Sequence, residues 1–383
     1  MTRIADVTFH GVAVTPRTNW SFLRVADEEG RAGWGECTLA NHEPLLEREV
    51  RRLARTVAGA DSRARNRLAR LLPHAPGGLV AHTILSAFEQ ALTDLAAQRA
   101  NEPIHALLGG ALRDPIPLYA NVNRGAERTP AGFAAAATRA TAAGFEAVKL
   151  APFDPLVWEE ANTPAARAAY AEGLARVAAV REAIGPGRAL MVDAHWRFSP
   201  GGAAALIRDL DEHRLHWLEC PVAEANHGEI RRLRDMANAR GVRLAGAETL
   251  AGLAAYLPLA EGGLYDVWMP DVKHAGGHGE ILRIAALALA RGVEMAPHNP
   301  TGPVAHAHSL HLCAAIPNLW RLEVQFGETE SFFTLAPGHD LRFADGTGTL
   351  PAAPGLGVAL DEASAAANPW RPHDTPWLDP RLG

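Results

Sequence analysis

The sequence predicts an α/β protein: a (β/α)8-type barrel, of the modified TIM-barrel kind, with an N-terminal α+β capping domain that the C-terminal segment completes. Between Met191 and Glu323 six short apolar runs follow one another, MVDAH, HWLECPV, RLAGAET, YDVWMPDVKHAGG, VEMAPHNP and LWRLEVQ, each closed by a carboxylate or a histidine. They recur roughly every 25 to 30 residues, with Ala-rich amphipathic segments between them. The two ends of the chain lack this period and read as a separate unit. Short strands alternating with helices give a parallel sheet, and such a barrel gathers its chemistry at the C-terminal ends of its strands.

Residues 1–115 read as the capping domain. Ala5 to Val14 and Ser21 to Val25 are strand-like, and GWGEC follows at Gly33 to Cys37. Between the first two lies the turn-rich stretch Thr15 to Trp20, expected to be a loop able to close over a ligand. Leu45 to Leu72 and Ala81 to Ala100 carry apolar residues at helical spacing, with Leu107-Leu108-Gly109-Gly110 as a stop. The barrel, residues 116–325, opens with the strand Ile116 to Asn121. Thr129-Pro130 and Thr163-Pro164 each set an N-cap before a proline at the first helical position. Between them lie the strand Phe145 to Leu150 and a long polar connection, Ala151 to Asn162. Eight strands are counted from IPLYAN to LWRLEV, enough to close a barrel. Residues 326–383 hold no further β/α unit and are expected to return to the capping domain.

The 383 residues are 48 % hydrophobic and 21 % charged, with a formal charge of −6, which gives no hint of nucleic acid or an anionic membrane as partner. No apolar run approaches the ~18 residues of a spanning helix. The N-terminus alternates like a strand and does not read as a signal peptide. Cys37, Cys220 and Cys313 are too scattered for a disulfide framework. A cytoplasmic enzyme is the expectation.

In a barrel, Asp193, Glu219 and Glu248 end consecutive strands and converge. Three unpaired carboxylates repel and raise one another's pKa unless a cation sits between them. Oxygen-only ligation selects a hard divalent ion, and Mg²⁺ leaves positions open for water or substrate. The next strands offer Asp271 and His298. A carboxylate on one ring nitrogen fixes the tautomer and raises the basicity of the other, which makes His298 a candidate general base. A divalent metal beside a base suits removal of a proton α to a carboxylate, an arrangement that general enzymology associates with enolase-type sites. Glu323, if protonated, can hydrogen-bond the second substrate oxygen, with Lys149 and the metal taking the opposing charge. His195, two residues past Asp193, reaches the site from another side and as an imidazolium can protonate a departing hydroxyl. Trp20, Asn121 and Asn299 are the candidate substrate-binding residues. His306, His308 and His311 read as structural or surface histidines, Lys273 as solvated or ion-paired, and Cys220 as a small packed side chain.

With these residues in hand, the chain resembles the enolase superfamily, mandelate racemase subgroup. The likeness runs nearly end to end, through GWGE at Gly33 to Glu36, the ALTDLAAQ helix, LLGG, LECPV at Leu218 to Val222 and PGLGV near the C-terminus. VDAH at Val192 to His195, PDVKHAGG at Pro270 to Gly277 and APHNPTGP at Ala296 to Pro303 are similar to acid-sugar dehydratases of the galactonate dehydratase type. The resemblance implies that Asp193, Glu219 and Glu248 bind Mg²⁺, that His298 paired to Asp271 abstracts the α-proton, and that His195 expels the β-hydroxyl. It also implies a homo-oligomer. Racemases of the subgroup end the second strand Lys-x-Lys, whereas Lys149-Leu150-Ala151 stands here and the second base is missing.

The expected function is therefore Mg²⁺-dependent dehydration of a 2,3-dihydroxy carboxylate, a sugar acid, to a 2-keto-3-deoxy acid. A racemase or epimerase pairing His298 with Lys273 or His195 stays open, as does a catalytically idle binder of sugar acids. A metal-dependent hydrolase would want histidine ligands on the early strands, and the first two supply none.

Overall fold

The computed structural model describes residues 2–69, 78–154, 156 and 162–372. Strands β1 (Ile4–Thr15), β2 (Thr18–Asp27) and β3 (Ala32–Glu36) form an antiparallel sheet in the order β1-β2-β3. The helices Glu43–Val57 and Gly78–Ala100 cover it, burying Leu23, Val25, Leu46, Val50, Phe88 and Leu95 in one apolar cluster. Two expectations need correction. Thr15 to Trp20 is a tight hairpin and not an open loop: β1 and β2 run almost to meet, leaving only Pro16 and Arg17 as the turn, and Trp20 lies within β2. The helix expected to run from Leu45 to Leu72 ends at Val57, where Gly59 adopts φ 74° and donates its N–H to Ile4 O, turning the chain back along β1. A left-handed conformation of this kind is open to glycine at little cost. Leu71 and Leu72 lie outside the described residues.

Close approach of β3 to the helix Gly78–Ala100 requires Gly33 and Gly35. A Cβ on Gly35 would fall inside the carbonyl group of Ala87, and one on Gly33 inside that of Ala91. Both obstacles are helix backbone, so neither can step aside. Gly35→Ala is expected to destabilise the protein by roughly 3 kcal/mol or more, the upper end for overpacking. An unchanged urea midpoint would contradict this packing.

The barrel strands are β4 (Ile116–Asn121), β5 (Ala147–Leu150), β6 (Ala189–Asp193), β7 (Trp217–Glu219), β8 (Arg243–Gly246), β9 (Val267–Trp268), β10 (Glu294–Met295) and β11 (Leu322–Gln325). They are parallel, in the order β10-β9-β8-β7-β6-β5-β4-β11. The gap between β10 and β11 is bridged at Met295, which accepts from Trp320 N and donates to Asn318 O. Thr129, Thr163 and Ser199 each cap a helix that begins with proline, accepting from the backbone N–H three residues on. After β11 the chain leaves the barrel. Strand β12 (Thr347–Gly348) pairs antiparallel with β4, and Asn368 and Trp370 hydrogen-bond the backbone of β1 at Ala13 and Gly11.

Strand parity positions the site. Tyr119, Ala147, Met191, Trp217, Ala245 and Val267 fill the barrel interior, while the alternate residues Leu118, Val148, Val192, Leu218 and Leu244 pack outward under the helices. Two residues further along, on the inward parity, come Asn121, Lys149, Asp193 and Glu219. A polar layer therefore lies directly on the apolar plug.

Candidate active site

Asp193 and Glu219 are register partners on β6 and β7. Glu248 stands two residues past β8, where Ala247 at φ 77° turns it inward. His195 and Cys220 likewise adopt positive φ, 44° each, beside the other two acids. Non-glycine residues held in this region cluster at sites whose geometry the surrounding fold enforces. Carboxylate oxygens of Asp193, Glu219 and Glu248 all lie within 4.8 Å of one another.

One lysine reaches this crowd. Lys149 Nζ lies 2.6 Å from Glu219 Oε1, 2.9 Å from Glu323 Oε1 and 3.9 Å from Asp193 Oδ2. Burial disfavours its charge, yet the carboxylates outweigh burial and hold its pKa well above the usual lysine value. A single ammonium does not neutralise three acids. Burial, and then the neighbouring acids, keep Glu219 and Glu248 raised, whereas Asp193 is lowered because His195 overcomes its burial. Glu219 Oε2 accepts from Trp217 Nε1 at 2.9 Å. Glu248 Oε2 is buried without any hydrogen-bond partner among the described residues. An orphaned, buried carboxylate oxygen beside two more acids, all oxygen donors, fits a hard divalent cation.

Across from Glu248, His298 Nδ1 donates to Asp271 Oδ2 at 2.7 Å, so its lone pair is on Nε2, 3.6 Å from Glu248 Oε2. Burial opposes protonation of His298, but Glu248 and Asp271 prevail and raise its pKa. Asp271 also accepts from Lys273 Nζ at 2.5 Å and from Lys273 N at 2.7 Å, and its pKa is held far down against burial by Lys273, His274 and His298. Lys273 is thus buried and ion-paired. His195 reaches the opposite side: Nε2 lies 2.9 Å from Asp193 Oδ2, and Nδ1 3.1 Å from Asp154 Oδ1. These two carboxylates outweigh burial and raise the His195 pKa well above the usual value.

Glu323 lies beside Lys149 on the strand that closes the barrel. Its oxygens accept from Tyr119 Oη, Asn121 Nδ2 and the ammonium of Lys149. Although burial works against the charge, Lys149 and then His298 lower its pKa, and its oxygens anchor Lys149 and Asn121. Two of the substrate-binding candidates, Asn299 and Trp20, are not among the residues lining the cleft. Asn299 has its amide N on His306 Nδ1 and Glu323 O and its amide O on Ser309 Oγ, so it braces Glu323 from behind. Trp20 is fully buried and walls a neighbouring cavity of about 300 Å³ with Phe332 and Phe333. Asn121 does line the cleft, a space of about 260 Å³ between the capping hairpin and the strand ends.

His306, His308 and His311 are buried on the helix Pro303–Ala315, bonded to Asn299, to Trp34 O and to Leu356 O. Burial lowers all three, His306 and His311 to about 3, so they are neutral structural groups. Cys220 is buried and its thiol pushed up by burial and nearby acids. Two residues escaped sequence reading. Asp154, which holds His195, also pairs with Arg197. Glu36 accepts from Thr301 Oγ1, Gly302 N and Ala305 N, so the capping domain fixes the loop that carries His298. GWGE signalled Glu36; nothing local signalled Asp154. Part of the long connection after β5, Pro155 and Val157 to Ala161, lies outside the described residues.

Comparison with known proteins gives the following. Residues 132–364 match the family described as Enolase C-terminal domain-like, and residues 6–109 match Mandelate racemase / muconate lactonizing enzyme, N-terminal domain. D-gluconate dehydratase of Thermoproteus tenax is 32 % identical over 89 % of this chain and 68 % of its own length. D-galactonate dehydratase of Ralstonia nicotianae is 32 % identical over 92 % of this chain and 93 % of its own. A solved enolase from Agrobacterium radiobacter, bound to Na and L-malate, matches with a TM-score of 0.83 at 28 % identity, covering 96 % of this chain and 95 % of that one.

Proposed function

This chain belongs to the enolase superfamily, with the paired domains of mandelate racemase and muconate lactonizing enzymes, and on that premise we propose that it is a Mg²⁺-dependent dehydratase of a sugar acid. The observation that carries the reading is the pairing of an oxygen-only acidic triad, Asp193, Glu219 and Glu248, with the His298–Asp271 dyad on the other side of one small cleft. Curated relatives that act on D-gluconate and D-galactonate support it.

The three acids would hold the ion, which when bound supplies positive charge to the substrate carboxylate as its α-carbon is deprotonated. His298 Nε2 takes the C2 proton, and the C–H electron pair moves into the carboxylate as an enediolate. That pair then forms the C2–C3 double bond while the C3–O bond breaks, and His195 protonates the departing hydroxyl so that it leaves as water. The enol tautomerises to a 2-keto-3-deoxy acid. Lys149 opposes the carboxylate charge; Glu323 and Asp271 position Lys149 and His298. Ala151, where a racemase would carry its second base, disfavours the racemase reading. Three free, buried cysteines suit a cytoplasmic setting, and among the described residues no helix is long and apolar enough to cross a membrane. Assembly of several copies rests on the resemblance alone.

Incubation with a panel of acid sugars should give 2-keto products detectable with semicarbazide. EDTA is expected to remove this turnover and added Mg²⁺ to restore it, with Mg²⁺ binding, followed by calorimetry, lost in Glu219→Gln. Turnover that survives thorough chelation would end the metal assignment.

A further inference from the structure

We propose that Glu224 and Tyr256 are positioning residues for the cation site: together they hold Ala247 in the left-handed backbone conformation that aims Glu248 at Asp193 and Glu219. This rests on the reading of the three acids as the Mg²⁺ site. The acids are not held alike. Asp193 is met by His195 and Lys149, and Glu219 by Lys149 and Trp217. Glu248 Oε2 has no hydrogen-bond partner among the described residues. Its direction is left to the backbone that carries it. That backbone is unusual, because Ala247 stands at φ 77°, where an L side chain rarely rests unless its surroundings hold it there.

The two peptide groups that flank Ala247 are each gripped by a side chain. Ala247 N–H donates to Glu224 Oε1 at 2.9 Å, and Tyr256 Oη donates to Ala247 O at 2.7 Å. With both peptide planes fixed, the dihedrals between them are fixed as well. The clamp is itself anchored. Glu224 lies on the loop after β7, five residues beyond Glu219, and its Oε2 accepts from Tyr265 Oη at 3.1 Å. Tyr265 comes this close because residue 246 is glycine: a Cβ there would fall 2.7 Å from the phenol ring. Tyr256 is fully buried on the helix Gly252–Gly262, its ring packed on Trp268 with centroids 5.3 Å apart. Glu224 therefore ties the loop that follows one acid to the residue that precedes another. Neither Glu224 nor Tyr256 lines the cleft, so both act through Glu248.

The test is Mg²⁺ binding by the full chain, followed by calorimetry, so that it does not depend on turnover. Tyr256→Phe keeps the ring on Trp268 and removes only the donor to Ala247 O. It is expected to weaken Mg²⁺ binding about ten- to hundredfold, the range for partners that orient metal ligands. Glu224→Met is expected to do the same. Glu224→Gln, whose amide oxygen can still accept from Ala247 N, should keep most of the affinity. Ala247→Gly added to Tyr256→Phe is expected to recover part of the loss, because glycine holds a positive φ without a clamp. Binding by Tyr256→Phe and Glu224→Met within a few-fold of the parent would overturn the clamp and leave the cation site standing. A loss that Ala247→Gly does not recover would also overturn it, assigning both residues to packing alone. A parent chain that binds no Mg²⁺ would refute the cation site itself, and the clamp with it.

Discussion

Replacing His298 with Asn should lower turnover by about four orders of magnitude, the upper range for loss of a general base, while Mg²⁺ affinity stays within a few-fold. The asymmetry follows from the geometry. Nε2 faces the cleft 3.6 Å from Glu248 but is not among the oxygens gathered by the triad. Asparagine fills similar space and can still reach Asp271, so the dyad's shape survives and its basicity does not. Calorimetric Mg²⁺ binding separates the two effects, and product assays read the first. Residual activity within tenfold of the parent would remove His298 from the reaction; loss of Mg²⁺ binding together with turnover would mean that the ring supports the acids and leave its chemistry undemonstrated.

How far the sequence reached can be argued from where it stopped. Asp193 and Glu219 were legible because β-strand parity is rigid: Met191 and Trp217, two residues earlier, face the barrel interior, so the acids must too. The Thr-Pro starts were legible because capping is local. Trp20 was not, because β2 buries residues on both faces, Asn19 through Leu23 in succession, and alternation then says nothing about direction. Asn299 follows a short strand and is turned by Ser309 and His306 on the next helix, contacts that no spacing rule encodes. The partners of Glu323 include Lys149, 174 positions earlier in the chain, and Asn121. Asp154 is held by Arg197 from another loop. Elements and inward positions are written locally; orientation and protonation are written by tertiary neighbours.

His195→Asn should split the reaction in two. Dehydration is expected to fall about 10²- to 10⁴-fold, the range for losing a general acid, while exchange of the C2 proton with solvent deuterium continues, because His298 and Asp271 lie on the other side of the cleft and are untouched. His195 owes its place to Asp154 on Nδ1 and Asp193 on Nε2, so Mg²⁺ binding must be followed in the same variant to separate loss of the acid from disturbance of Asp193. Deuterium appearing at C2 of recovered substrate, with little keto product and intact Mg²⁺ binding, assigns hydroxyl departure to His195. Exchange and dehydration falling together would place His195 in the first step or in binding, and an unchanged rate would leave the hydroxyl to depart without it.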